Sequence, residues 1–329
     1  MKVFATKVIP DNAKAFLSAN NIVVDEWTNQ TPITKNELTK IVTSGKYTGL
    51  FVLGAKIDAE IIHAIQRNIQ VISLLSVGYD NIDLHAATMA GIPVSNTPDV
   101  LNDATAETAF LLMQNVARKA FYNYRRIMED KWHNDSFITN LGVDLQGKTL
   151  GIFGLGKIGL VMGKLCRAAF NMEVIYHNRS RNPKADKTLN AQFVSFDELL
   201  HRSDVLSIHC ALTPETTRVF NAAVFKKMKN SSILINTARG KVVDEPALIQ
   251  ALQKAEIWGA GLDVTDPEPM QPDNPLLQMA TVAVLPHIGS ATVNTRHRMA
   301  QLAAENMLLG LTGKRLKTIV NEEVYSIKK

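Results

Sequence analysis

Short runs of apolar residues alternate along this chain with longer stretches in which apolar positions recur every three or four residues. The short runs predict strands and the periodic stretches predict helices. In the first hundred residues strands are expected over 2–8, 22–27, 49–53, 71–75 and 93–95, with helices over 12–19, 35–43, 58–65 and 83–90. From Asp103 to about Glu129 no glycine or proline interrupts the pattern, which predicts one long helix. Strands resume at 150–153, 173–177, 205–209, 233–236, 259–262 and 282–285, with helices over 157–169, 196–200, 222–228, 245–255 and 295–311. This alternation predicts an α/β fold of two Rossmann-like, doubly wound parallel-sheet domains. Thr97-Pro98 is the expected first crossover, and the helix 295–311 is expected to return the chain to the first domain. The expected domains are therefore 1–98 with 289–329, and 99–288. The irregular segment 131–142, with Trp132, Phe137 and a closing Gly142, is either a loop presented to a second subunit or a buried staple within one domain.

Composition narrows the class. A chain of 329 residues suits two domains, and 46% apolar with 20% charged residues is a globular composition. No apolar run approaches the roughly 20 residues of a membrane span, and the first residues, MKVFATKVIPDNAK, lack a secretory pattern. Cys166 and Cys210 are too few for a disulfide framework and have no metal-site spacing. They predict small core residues in a reduced, cytoplasmic protein, and no metal is expected. The net charge of +5 is spread along the chain. Its nearest cluster, Arg179-Ser180-Arg181 with Lys184 and Lys187, is not the stripe that nucleic acid requires. Neither nucleic acid nor a membrane is an expected partner.

The most specific stretch is LGIFGLGKIG, residues 150–159. Strand, glycine turn and helix follow one another here, the arrangement that seats a dinucleotide pyrophosphate. Gly154 permits the tight turn, Gly156 lets backbone approach a phosphate, and Gly159 lets helix pack on strand. Leu155, Lys157 and Ile158 complete the turn, whose N–H groups and helix dipole favour negative charge. The residue expected to be acidic, about 20 positions past the glycines, is Asn178, followed by Arg179 and Ser180. A carboxylate would repel a 2′-phosphate, whereas an arginine and a serine can bind one. NADP(H) is the expected cofactor, with NAD(H) possible and a solvated basic turn as the plainer alternative.

Three polar side chains stand just past predicted strands: Arg239 in NTARG, Glu268 in DVTDPEP and His287 in PHIGS. Singly they read as a surface ion pair, a loop charge and a strand cap. Together, at the carboxyl edge of a parallel sheet, they match the reduction of a 2-keto acid. Histidine suits a proton donor near neutral pH. Glu268 would orient and charge the imidazole, and Arg239 offers a bidentate cation to a carboxylate and a developing alkoxide. In the first half, Leu53-Gly54 and Val77-Gly78 follow strands and face the same kind of edge. The Val77 and Gly78 amides can hold a carboxylate, although an ordinary turn explains them equally well.

With SVGYDNIDLHAATMAGIPVSNTP, GKTLGIFGLGKIG, LINTARGKVVDEPAL, GLDVTDPEP and LPHIGSAT in this order, the chain resembles the D-isomer-specific 2-hydroxyacid dehydrogenases nearly end to end. The resemblance implies that Arg239, Glu268 and His287 are the substrate-binding arginine, the supporting acid and the acid/base histidine. It implies that Leu53, Gly54, Val77 and Gly78 meet a small 2-keto or 2-hydroxy acid. It sets Thr105, Ala211, Pro214, Thr237, Ala238, Arg239, Asp263, His287 and Gly289 against the cofactor, with Asn178, Arg179 and Ser180 at its adenosine end. The first domain is then a flavodoxin-like, discontinuous substrate-binding domain, 99–288 the dinucleotide-binding domain, and the cleft between them the active site. NRS after the second strand, with HIGSAT at the histidine, is similar to NADPH-preferring glyoxylate/hydroxypyruvate and 2-ketogluconate reductases. Homodimers through the cofactor domain are implied as well. Formate dehydrogenases carry glutamine in place of Glu268, which speaks against that chemistry. An NAD-using phosphoglycerate dehydrogenase is a closer rival, against which no regulatory domain is expected after Leu311. A cofactor-sensing corepressor is the non-enzymatic alternative.

Overall fold

The computed structural model describes residues 1–133 and 135–326. Among these residues the chain divides into two compact units, Met1–Leu101 with the segment from Ala291 onward, and Asn102–Ser290.

The first unit is built on a parallel sheet of β1 (Lys2–Ala5), β2 (Val23–Glu26), β3 (Gly49–Val52), β4 (Val71–Leu74) and β5 (Val94–Ser95), in the order β2-β1-β3-β4-β5. That is the flavodoxin-like doubly wound order. Successive strand side chains point to opposite faces, so Leu50, Val52, Ile72 and Leu74 enter one core while Phe51, Val71 and Leu75 enter the other. Every residue of β3 and β4 is buried, as expected where helices cover both faces of a parallel sheet. Helix Val293–Leu311 packs on β4 and on helix Asp11–Ala19. Its Gly310 lies so close to the sheet that a Cβ would meet Val71 at 2.5 Å.

The second unit holds β6 (Thr149–Phe153), β7 (Glu173–His177), β8 (Gln192–Phe193), β9 (Val205–Ile208), β10 (Ile233–Asn236), β11 (Gly259–Leu262) and β12 (Val282–Val284), all parallel. Their order, β12-β11-β10-β9-β6-β7-β8, is the dinucleotide-binding arrangement with one further strand. The order reverses between β6 and β9, which leaves a crevice beyond the end of β6, where the glycine turn begins.

Two local expectations need correction. Helix Pro183–Leu189 and the short edge strand β8 were not expected, although Asn182 before Pro183 is an N-cap followed by proline at the first helical position. The long helix after Asp103 is two helices, Asn102–Arg118 and Ala120–Met128, joined at Lys119 in the left-handed region (φ 52°). The carbonyl of Ala117, which a continuous helix would use internally, instead accepts the N–H of Val143 at 2.9 Å. Gly142 makes that approach possible, because a Cβ there would overlap the Ala117 carbonyl oxygen. A contact from 26 positions downstream ends the helix.

Candidate active site

The glycine turn is fitted from both sides. Gly154 has φ +93°, and a Cβ on it would lie 2.6 Å from the backbone nitrogen of Cys210. A Cβ on Gly159 would sit 3.0 Å from Ile152, so helix Lys157–Phe170 rests directly on β6. Gly156, the helix N-cap, faces open space: a Cβ there would meet nothing within 4 Å, and glycine itself offers no capping side chain. Open room at the N-terminus of a helix is what a pyrophosphate requires. Behind the turn, Leu155 N–H donates to Asn178 Oδ1 at 2.6 Å, while Asn178 Nδ2 and Asn182 Nδ2 donate to the Leu155 carbonyl at 3.2 and 3.0 Å. Both polar ends of the Asn178 side chain are therefore engaged with the turn. The role of Asn182 was missed, because its N-cap signal says nothing of what its Nδ2 reaches. Arg179 and Ser180 are exposed. Arg179 makes no hydrogen bond or ion pair among the described residues, although its charge helps to hold the Glu215 carboxyl below its usual range, after the Thr213 hydroxyl and the local backbone.

Beyond β9, Ala211 and Pro214 lie exposed in a loop tied by Thr216 Oγ1, which donates to the Ala211 carbonyl at 2.8 Å. Beyond β10, Asn236 shapes the Arg239 turn: its Oδ1 accepts Ala238 N–H at 3.0 Å and its Nδ2 donates to the Arg239 carbonyl at 2.9 Å. A Cβ on Gly240 would overlap the Thr265 carbonyl, so this turn lies hard against the loop that leads to Glu268. The Thr237 hydroxyl beside it is buried without a hydrogen-bond partner. A buried orphan hydroxyl in this position fits a polar ligand group.

His287 Nδ1 and Glu268 Oε1 are 2.5 Å apart, with the two side chains 47% and 42% exposed. Partial burial pushes the Glu268 carboxyl up, but the hydrogen bond and charge of His287, with the charge of Arg239, outweigh it and hold the group below its usual range. An ionised carboxylate only accepts, so Nδ1 carries the proton on this side and Nε2 is the imidazole nitrogen left for chemistry. The backbone of His287 is itself left-handed (φ 54°), a costly conformation for a residue with a Cβ. Asp263 at the end of β11 holds it there. Its carbonyl accepts His287 N–H at 2.9 Å, and its two carboxylate oxygens accept Ile288 and Gly289 N–H at 2.7 and 2.8 Å. Burial pushes the Asp263 carboxyl up, and those two amides oppose the shift. A Cβ on Gly289 would come within 2.9 Å of that carboxylate and 3.5 Å of Thr105. Thr105, Asp263, Gly289, His287 and Glu268 thus form one cluster.

In the first unit, Thr6 Oγ1 accepts Leu53 N–H at 2.9 Å, just before Gly54 at φ +76°. Val77 and Gly78 form a partly exposed turn after β4. Among the described residues there is no group of three or more metal-ligating side chains, and no helix is long and apolar enough to cross a membrane.

A family profile described as "D-isomer specific 2-hydroxyacid dehydrogenase, NAD binding domain" matches residues 110–289. The chain belongs to the D-isomer specific 2-hydroxyacid dehydrogenases. Among its relatives, the glyoxylate reductase of Thermococcus kodakarensis is 40% identical, across 100% of this chain and 98% of that one. The glyoxylate/hydroxypyruvate reductase B of Escherichia coli is 38% identical, across 98% of each. A solved NADPH-dependent glyoxylate/hydroxypyruvate reductase of Sinorhizobium meliloti, in complex with NADP and malonate, is 28% identical, with a TM-score of 0.83 and coverage of 97% and 96%. This dehydrogenase is therefore an oxidoreductase that uses a nicotinamide dinucleotide on the CH–OH group of a 2-hydroxy acid, or on the corresponding keto acid.

Proposed function

We propose that this enzyme reduces glyoxylate and hydroxypyruvate, with 2-ketogluconate as a longer candidate, preferentially with NADPH. The 2.5 Å pair of His287 and Glu268 carries the reading. Reduction delivers a hydride to the carbonyl carbon, which bound NADPH supplies, and a proton to the carbonyl oxygen. His287 Nε2–H donates that proton, while Glu268 keeps Nδ1–H engaged. Arg239 is the cation for the substrate, aimed by Asn236. The substrate carboxylate is assigned to the amides of Val77 and Gly78, and its tail to Leu53 and Gly54.

The pyrophosphate is assigned to residues 154–159, and a 2′-phosphate to Arg179 and Ser180. The nicotinamide end is assigned to Thr105, Ala211, Pro214, Thr237, Ala238, Asp263 and Gly289. The absence of a carboxylate at Asn178 and the NADPH dependence of the Sinorhizobium relative support NADP over NAD. On this reading the first unit is the substrate-binding domain and the second the dinucleotide-binding domain. A homodimer through the second unit is supported by helix Ala120–Met128, which buries none of its residues and exposes Tyr124 and Met128. A cytoplasmic location is supported by two free cysteines.

The test is NADPH oxidation, followed by absorbance, with glyoxylate, hydroxypyruvate and 2-ketogluconate, repeated with NADH. Turnover of the two shorter acids with NADPH favoured is expected. No turnover across the panel overturns the proposal.

A further inference from the structure

Backbone amides bind an anion well only when they are aimed, and the turn Ser76–Tyr79 is held from behind by its carbonyls. The Ser76 carbonyl accepts Thr97 N–H at 2.9 Å, the Val77 carbonyl accepts Asn96 Nδ2 at 2.8 Å, and the Gly78 carbonyl accepts Ser76 Oγ at 2.7 Å. A trans peptide is planar, with its C=O and N–H on opposite sides. Fixing the Ser76 carbonyl therefore aims Val77 N–H the other way, and fixing the Val77 carbonyl aims Gly78 N–H. Neither N–H finds an acceptor among the described residues.

Asn96 is in turn anchored by the segment that follows the last helix. Its N–H donates to the Thr318 carbonyl at 3.2 Å and its carbonyl accepts Thr318 Oγ1 at 2.6 Å. Thr318 is locked by Asn306, fully buried in helix Val293–Leu311. Asn306 Nδ2 donates to Thr318 Oγ1 at 2.9 Å and Asn306 Oδ1 accepts Thr318 N–H at 3.2 Å. Satisfied buried networks of this kind fix geometry more firmly than separate bonds.

We propose that Asn96, braced by Thr318 and Asn306, is a positioning residue that aims the Val77 and Gly78 amides at the substrate carboxylate. The proposal rests on the assignment of that carboxylate to those two amides. It makes anion recognition depend on a segment more than 200 positions away in the sequence.

The experiment uses the full-length enzyme saturated with NADPH and labelled with 15N at valine and glycine. Oxalate, which cannot be reduced, is titrated while the Val77 and Gly78 amide resonances are followed, and glyoxylate kinetics are run in parallel. In the unaltered enzyme both resonances should shift and saturate. Asn96→Ala should raise the oxalate Kd and the glyoxylate KM about tenfold, the worth of roughly one hydrogen bond. Because the lost binding is uniform, kcat should stay within about twofold, and NADPH affinity should not change. Thr318→Val, a gentler substitution that decides the matter if Asn96→Ala does not fold, should raise both constants about threefold. Amide shifts with unchanged oxalate Kd and KM in the variants overturn the role of Asn96 and leave the carboxylate assignment standing. If oxalate binds the unaltered enzyme without moving either amide, the assignment itself falls and the proposal with it.

Discussion

At the scale of single residues, the imidazole of His287 sits in a setting supplied by two carboxylates. Glu268 meets the ring, and Asp263 holds the backbone that presents it. The depressed Glu268 carboxyl means that its contribution to the pair is present above the usual carboxylate range and fades as pH falls through the lowered value. On the proposed mechanism the ring passes a proton through Nε2 while Glu268 holds Nδ1–H. Glu268→Gln should therefore lower kcat for glyoxylate reduction by about 10²-fold, the low end of what a positioned acid/base group contributes, with NADPH binding retained. An unchanged kcat would remove Glu268 from this role. A second prediction concerns Arg179. Its replacement by alanine should raise KM for NADPH about tenfold, as expected for an exposed charge-assisted contact, and leave KM for NADH within about twofold. Equal effects on both cofactors would mean that the basic turn is only a solvated one.

At the scale of elements, the glycine turn and strand ends were legible because their signals are local. Positive φ at Gly154 and close packing at Gly159 need a residue without a side chain whatever the rest of the chain does. The break at Lys119 was not legible, since a residue in helical surroundings was turned left-handed by a contact from Val143. Gly142→Ala should lower stability by about 1–3 kcal/mol, because the added methyl group must displace backbone rather than a flexible side chain. Thermal melting of the variant would check this, and an unchanged Tm would show that the helix end yields easily. In the segment 131–142, Trp132 is 69% and Phe137 99% exposed, so neither ring acts as a buried staple among the described residues.

At the scale of the molecule, helix Ala120–Met128 exposes Phe121, Tyr124, Ile127 and Met128, the residues on which the proposed dimer rests. Light scattering after size exclusion should give twice the chain mass of 36.3 kDa. Replacing Tyr124 and Met128 together by aspartate should shift the mass towards one copy with NADPH binding retained, whereas a monomeric unaltered enzyme would refute the dimer. By itself the sequence determined the α/β class, the glycine turn, and Arg239, Glu268 and His287 as the residues to watch, because each depends on spacing within a single strand–turn–helix unit. Tertiary structure decided what stands behind them: Asn178 and Asn182 on the Leu155 backbone, Asp263 on the His287 turn, and Thr318 on Asn96. Those partners lie tens to hundreds of positions apart, and a hydrogen bond depends on distance in space, which residue spacing along the chain does not carry.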